Sequence, residues 1–298
     1  MSYHNPVLLT ESVDALNIKE DGVYVDVTFG GGGHSREILS RLGENGKLFA
    51  FDQDPDAQEN KIEDERFVLI AENFRYISRF LKFYRIKKVD GVLADLGVSS
   101  HQFDAAERGF STRFDADLDM RMDQVSELSA KDVVNNYDEE QLADVLFLYG
   151  ELRSARALAR TIVEARKDQK IETSFQLKEV LKRHLPKAKE HKILAQIYQA
   201  IRIEVNQELE VLKEFLNQIP DLLNEDGRLS VISYHSLEDR LVKRFIRTGL
   251  FSGEPNKDFY GNTNEPLKKV GKLIVPTQVE IKMNNRARSA KLRVATLK

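Results

Sequence analysis

The chain has 298 residues, 41% hydrophobic and 31% charged, with a formal net charge of −3, which suits one large or two ordinary globular domains. No apolar run approaches the ~20 residues that span a bilayer, and the start, Met1 to Pro6, lacks the basic and apolar regions of a signal peptide, so a cytoplasmic protein without a membrane partner is expected. The absence of cysteine excludes disulfides, thiolate zinc sites, iron–sulfur clusters and any thiolate adduct with a pyrimidine.

In chain order, strands are expected at 23–28, 47–51, 66–70 and 89–95, with helical segments at 33–42, 55–61 and 74–84 between them. Such alternation predicts a parallel sheet with covering helices. From Phe110 to about Ile203 no strand is expected. Residues 111–123 read as a polar, acid-rich loop. Helices follow at 139–149, 151–167, 174–184 and 190–203, with apolar stripes Leu142, Val145, Leu146, Tyr149 and Leu158, Ile162, Ala165 facing a helical core. The sheet pattern then resumes: a helix at 206–223, a turn at Asp226-Gly227, a strand at 228–234, a helix at 237–247, a loop at 251–271 and two closing strands at 272–281 and 290–297. The expectation is one α/β domain, 1–108 plus 205–298, interrupted by an all-helical insertion at 109–204. The segment from Leu267 to Lys298 is basic (Lys268, Lys269, Lys272, Lys282, Arg286, Arg288, Lys291, Arg293, Lys298 against Glu280), either a solvated tail or a phosphate-contacting surface.

Four glycines, Gly30 to Gly33, sit where the first strand should turn into a helix. Such a turn lets a ligand approach the main chain without a Cβ in the way. The second strand ends in Asp52, the usual place for a carboxylate that holds ribose hydroxyls. The dinucleotide fingerprint needs Gly or Ala where Ser35 stands, which weakens a nicotinamide reading without excluding it. Acids at three strand ends, Asp26, Asp52 and Asp95, would repel a pyrophosphate but suit the cationic sulfonium of S-adenosylmethionine, which the pattern favours.

Several further segments carry a resemblance. They are Asn5-Pro6-Val7-Leu8-Leu9-x-Glu11, Asp26-x-Thr28-x-Gly30-x-Gly32-Gly33-His34-Ser35, Asp52-x-Asp54-Pro55, Asp95-Leu96-Gly97-Val98-Ser99-Ser100-x-Gln102-x-Asp104, Arg108-Gly109-Phe110-Ser111 and Leu118-Asp119-Met120-Arg121-Met122-Asp123. Tyr149-Gly150-Glu151, Gln199-Ala200-Ile201-Arg202-Ile203-x-Val205-Asn206, Ile232-Ser233-Tyr234-His235-Ser236-Leu237-Glu238-Asp239-Arg240 and the run from Arg286 to Arg293 complete the set. In this order they resemble the ribosomal RNA small subunit methyltransferase H, or MraW, family across nearly the whole chain. The resemblance implies a class I S-adenosylmethionine-dependent methyltransferase, Rossmann-like, whose helical insertion would serve substrate recognition. It implies methylation of a cytidine N4 in the decoding region of 16S rRNA, with the small ribosomal subunit as partner. It also implies cofactor contacts at Gly32, Gly33, His34, Asp52, Phe74, Asp95 and Gln102. Departures are Lys192-Ile193 where proline is expected, Asn285 before Arg286, and Tyr234 where phenylalanine is common.

Taken alone, His34 reads as a surface histidine, Phe74 as a core aromatic, and Gln102 as nothing in particular. Asp95 is expected either to accept from the reacting amine or to orient the cofactor. His235 and Ser236 follow the fifth strand, on the edge where open α/β sheets bind ligands; Ser236 would cap the next helix, and a catalytic or substrate role for both is implied by the resemblance. Arg108, Arg113 and Arg121 either pair with neighbouring acids or meet RNA phosphate. No pair among the six histidines has a metal-ligand spacing, so no metal is expected. A homodimer stays open. A methyltransferase on DNA or a small amine, and a non-catalytic RNA-binding assembly factor, are the competing readings.

Overall fold

A computed structural model describes residues 6–255 and 265–298. The chain forms two compact units, Met1–Gly97 with Leu209–Lys298, and Val98–Glu208. These divisions fall at 97/98 and 208/209, against 108/109 and 204/205 in the sequence reading. The residues after 97 go with the helices because Val98 and Phe103 pack on the helical core, and Arg108 donates to the carbonyls of Arg121 and Met122.

The first unit carries α1 (Leu9–Asp14), β1 (Val23–Asp26), α2 (Gly33–Arg41), β2 (Lys47–Phe51), β3 (Phe67–Ile70), α3 (Ile77–Phe83) and β4 (Val89–Asp95). With β5 (Leu223–Ser233), β6 (Leu267–Ile274) and β7 (Lys291–Leu297) from later in the chain, its seven strands run in the order β3-β2-β1-β4-β5-β7-β6. The first five pair in parallel, and the two closing strands pair antiparallel. This is a mainly parallel, Rossmann-like sheet, as the alternation of strands and helices predicts. Alternation along the strands divides the side chains between two layers. Val25, Phe49, Phe51 and Val92 face one core, whereas Tyr24, Leu48, Ala50 and Leu93 face the other. Covering both faces explains why these strands are nearly continuous apolar runs. The expected segment 55–61 is a 3-10 turn, Pro55–Asn60, and residues 74–76 form another ahead of α3.

The second unit contains α4 (Ser100–Asp104), α5 (Ala130–Asn136), α6 (Glu139–Leu148), α7 (Ala155–Ala165), α8 (Ser174–Leu181) and α9 (Glu190–Asn206). Its described residues hold no strand, only an isolated bridge between Asp117 and Thr173. Leu142, Val145, Leu146, Leu158 and Ile162 fill its core as the stripes predict. Residues 111–123 are less loop-like than their polarity suggests. Leu118 and Met120 are fully buried, and their backbones pair with Glu172, Lys131 and Arg108.

The chain returns to the first unit through α10 (Glu208–Leu222), whose Leu212, Leu216 and Ile219 pack on the sheet. β5 (Leu223–Ser233) begins earlier than predicted, with the Asp226-Gly227 turn surviving as an irregularity inside it. Next come α11 (Ser236–Thr248), β6 (Leu267–Ile274), α12 (Gln278–Met283) and β7 (Lys291–Leu297). The predicted strand 272–281 is therefore a correction: it stops at Ile274. Pro276 has no N–H for the ladder, and Thr277 caps α12 by accepting from the Glu280 N–H at 3.2 Å. The expected loop 251–271 gives its last residues to β6; its middle, 256–264, lies outside the described residues, as do Met1 to Asn5. Among the described residues no helix is long and apolar enough to cross a membrane.

Candidate functional site

The carboxyl ends of β1, β2 and β4 bring Asp26, Asp52 and Asp95 to one edge of the first unit's sheet. The glycine turn lies among them. Gly30 and Gly32 have φ of +49° and +74°, which residues with a Cβ adopt reluctantly. Gly33 is required for another reason. A Cβ there would stand 2.2 Å from Pro6 Cγ, so the space belongs to the chain itself.

The three acids do different work. Asp26 has no exposed surface and accepts from the Ser35 hydroxyl at 2.7 Å and the Thr28 N–H at 3.1 Å. It anchors the turn and does not face a ligand, a correction to the reading of three carboxylates around a cation. Ser35, the residue that breaks the dinucleotide fingerprint, is the donor that satisfies it. Asp52 accepts from the Gly30 N–H at 2.8 Å and the Asp54 N–H at 2.9 Å. A carboxylate has about four lone-pair sites, so Asp52 keeps acceptor capacity for hydroxyls. Burial pushes it up to about 6 despite those bonds.

Asp95 ends β4 with its backbone N–H donating to Thr28 Oγ1 at 2.7 Å. Its side chain keeps about 21% of its surface exposed. The Tyr234 hydroxyl donates to Asp95 Oδ1 at 2.7 Å, and His34 Nδ1 lies 3.8 Å from Oδ2, an electrostatic contact too long for a hydrogen bond. Burial pushes Asp95 up to about 6. His34 and the Tyr234 hydrogen bond act against that rise, and Asp26 and Glu238 add to it. His34 is buried rather than a surface residue. Its Nε2 is 3.2 Å from the Val7 carbonyl; a carbonyl only accepts, so that nitrogen carries a proton.

Phe74 is half-buried after β3, edge-on to Phe215 with ring centroids 5.3 Å apart, at the rim of the same core. It is thus a core aromatic with surface to spare.

His235 caps α11 in place of Ser236, accepting from the Glu238 N–H while Glu238 bonds back to the His235 N–H. Its Nε2 lies 3.1 Å from Glu238 Oε1. Ser236 occupies the first helical position and lines a groove of about 320 Å³ with Tyr234, His235, Arg288 and Lys291. Asp239 is engaged by Arg293 at 2.7 Å and Lys291 at 3.2 Å. Lys268, Lys269, Lys272, Lys282 and Arg288 stay exposed, so the basic segment is folded and still presents cations to solvent.

Gln102 belongs to the second unit. It is buried, and its side-chain oxygen accepts from the Ser99 N–H at 3.0 Å. In the same unit Arg121 forks onto Asp119, Arg108 is buried against backbone carbonyls, and Arg113 is exposed. Sequence reasoning missed Ser35, Thr28 and Tyr234 as site-building residues. For Ser35 a signal existed: a hydroxyl in the first helical turn after a strand-end acid.

The sequence profile described as the MraW methylase family matches residues 1–298. The chain is 70% identical over 295 residues to a ribosomal RNA small subunit methyltransferase H from Christiangramia forsetii, covering 99% of this chain and 98% of that protein. It is 56% identical over 298 residues to the protein of that name from Bacteroides fragilis, covering 100% and 98%. Among solved structures, an rRNA methylase from Streptococcus thermophilus aligns with a TM-score of 0.44 and 12% identity, covering 100% of this chain and 98% of that one.

Proposed function

The chain belongs to the MraW methylase family, and from that premise we propose that it methylates N4 of a cytidine in the decoding region of 16S rRNA, with S-adenosylmethionine as donor. The coarser part, S-adenosylmethionine-dependent methylation of small-subunit rRNA, follows from the family. N4 chemistry is what the family resemblance implies, and the site is compatible with it. The observation that carries the proposal is Asp95, a partly exposed carboxylate at the end of β4 with Oδ1 accepting from Tyr234 and Oδ2 3.8 Å from His34 Nδ1.

The site fits the donor. Asp52 has lone pairs left for ribose hydroxyls, and the half-buried ring of Phe74 is available to adenine. Two carboxylates pushed up to about 6 by burial would be relieved by a cation. When bound, S-adenosylmethionine supplies an electrophilic methyl group on a positively charged sulfur.

This chain's residues then have to activate a poor nucleophile. The exocyclic amine of cytosine delocalises its lone pair into the ring. An acceptor on its N–H bond raises electron density on nitrogen and takes the proton that the methylated amine sheds. Asp95 is placed for that work, and its ionised form is the active one. His235 and Ser236 would border the incoming nucleotide, with Arg288 and the exposed lysines of the closing strands available to phosphate. The absence of cysteine is consistent with N-methylation, since methylation at C5 of a pyrimidine commonly proceeds through a thiolate adduct.

The test is to incubate small ribosomal subunits with labelled donor and identify the methylated nucleoside by mass spectrometry. N4-methylcytidine is expected, with the rate falling about 10²–10⁴-fold in Asp95→Asn. Label on duplex DNA or small amines instead, or no donor binding by calorimetry, would overturn the proposal.

A further inference from the structure

Tyr234 touches more of this site than its place between β5 and α11 suggests. Its hydroxyl donates to Asp95 Oδ1 at 2.7 Å, its backbone N–H donates to Glu238 Oε2 at 2.9 Å, and its ring lines the groove that holds Ser236, Arg288 and Lys291. The ring also packs on Gly97. A Cβ at that glycine, whose φ is +102°, would lie 3.3 Å from Tyr234 Cδ2. The side chain is therefore fixed at three points. Glu238, itself buried in the capping box of α11, holds the backbone; Gly97 accommodates the ring; Asp95 receives the hydroxyl.

We propose that Tyr234 is a positioning residue for Asp95: its hydroxyl ties up Oδ1, favours the ionised carboxylate, and leaves Oδ2 as the one oxygen free to accept from the reacting amine. The inference rests on the reading of Asp95 as that acceptor.

The surroundings show what such a donor does in this chain. Around Asp95 stand Asp26 from β1, His34 from α2 and Glu238 from α11; Glu280 from α12 faces the Tyr234 side. Three of these four groups are acids that disfavour a further negative charge. His34 Nδ1 stands near one oxygen only, at 3.8 Å. That hydrogen bond favours the ionised carboxylate, so loss of the phenol hydroxyl should raise the Asp95 midpoint by about one unit or more. Tyr234 itself does not lose its proton in the working range. Burial and the adjacent Asp95 hold its phenol well above the ordinary tyrosine value, so it remains a donor.

The experiment compares the full-length protein with Tyr234→Phe, which keeps the ring against Gly97 and removes one oxygen. Carbon-13 NMR of labelled aspartate follows the Asp95 carboxyl, and single-turnover methylation of small subunits is measured across pH. In the unsubstituted protein the carboxyl should titrate near 6. In Tyr234→Phe the midpoint and the acid limb of the rate profile should both move upward by about one unit or more. Well above that limb the rate should recover to within about threefold, with KM for the subunit unchanged. Site-specific 3-fluorotyrosine at 234, a stronger donor, should move both in the opposite direction, which separates the hydrogen bond from any packing effect. If midpoint and limb stay in place in Tyr234→Phe while Asp95→Asn abolishes turnover, the positioning role is wrong and the acceptor role stands. If Asp95→Asn turns over at the full rate, the acceptor reading fails and this inference falls with it.

Discussion

The two units of this chain bury different things. Among the described residues, the helical unit buries one side chain that is charged at neutral pH, Arg108, which donates to backbone carbonyls. The sheet unit buries Asp26, His34, Asp54, Glu238 and Asp239, and holds Asp52 and Asp95 partly buried beside them. A folded chain pays for such burial in stability unless each charge finds a partner. Asp239 and Asp26 have theirs. Asp52 and Asp95 have partial ones. The contrast teaches where function sits: charge left incompletely compensated at strand ends is stability given up for a ligand.

The largest expected effect tests the apolar side of this contrast. Ile162→Ala removes a fully buried side chain from the helical core and should cost about 2–5 kcal/mol. The distinguishing feature is its pH dependence. The cluster around Ile162 is built of apolar side chains and tyrosines, so the loss of stability in urea should be the same in mild acid as at neutrality. A cost that varies across that range would break the comparison.

Asp95→Asn should act in the other sense. The folded Asp95 titrates near 6, above its ordinary 3.8, so between those values the folded state binds more protons than the unfolded state. Stability therefore falls as pH rises through that window. A displacement of this size corresponds to about 3 kcal/mol. An asparagine carries no charge to bury, and its side-chain oxygen can still accept from Tyr234. The variant should be more stable than the parent by about 2–3 kcal/mol above pH 6, by thermal or urea denaturation, with the gain vanishing as pH approaches 4. A variant that gains stability while losing methyl transfer would show both faces of the same buried charge.

The same contrast governs what could be read from the residues. The sheet unit was legible because β-branched alternation, glycines at a strand–helix junction and acids at strand ends are local signals; β1, β2 and β4 fall where they were expected. The helical stripes were legible for the same reason. Short elements were not. α1, α5 and α12 have six or seven residues, too few for a periodicity to stand out. At the site, the sequence gives which acids end strands but not which of them a loop consumes. Asp26 is lost to Ser35 and Thr28, and that depends on how the turn folds back. Tyr234 was visible only as a departure from a motif. Its role is a contact across 139 residues of chain, which no local pattern encodes.

The smallest expected effect comes from an acid in the helical unit, and its sign is opposite to that of Asp95. Asp119 is partly buried, which alone would raise it, but the forked hydrogen bonds from Arg121 at 2.9 and 2.7 Å and the Arg121 N–H outweigh burial and hold it below the usual carboxylate range. Its stabilisation is therefore present at neutral pH and lost as pH falls through that lowered value. Asp119→Asn should cost only about 0.5–1 kcal/mol, because the side chains of both partners keep more than a quarter of their surface in solvent. The cost should shrink in high salt and disappear in acid, where the parent has lost the pair as well. Measured side by side, the two substitutions should have stability differences of opposite sign at neutral pH, each closing as pH falls, the Asp95 difference through the window between 6 and 4 and the Asp119 difference only below it. If Asp119→Asn instead stabilised the protein at neutral pH, charge in the helical unit would be as poorly compensated as charge at the strand ends, and burial of charge would no longer distinguish the site from its surroundings.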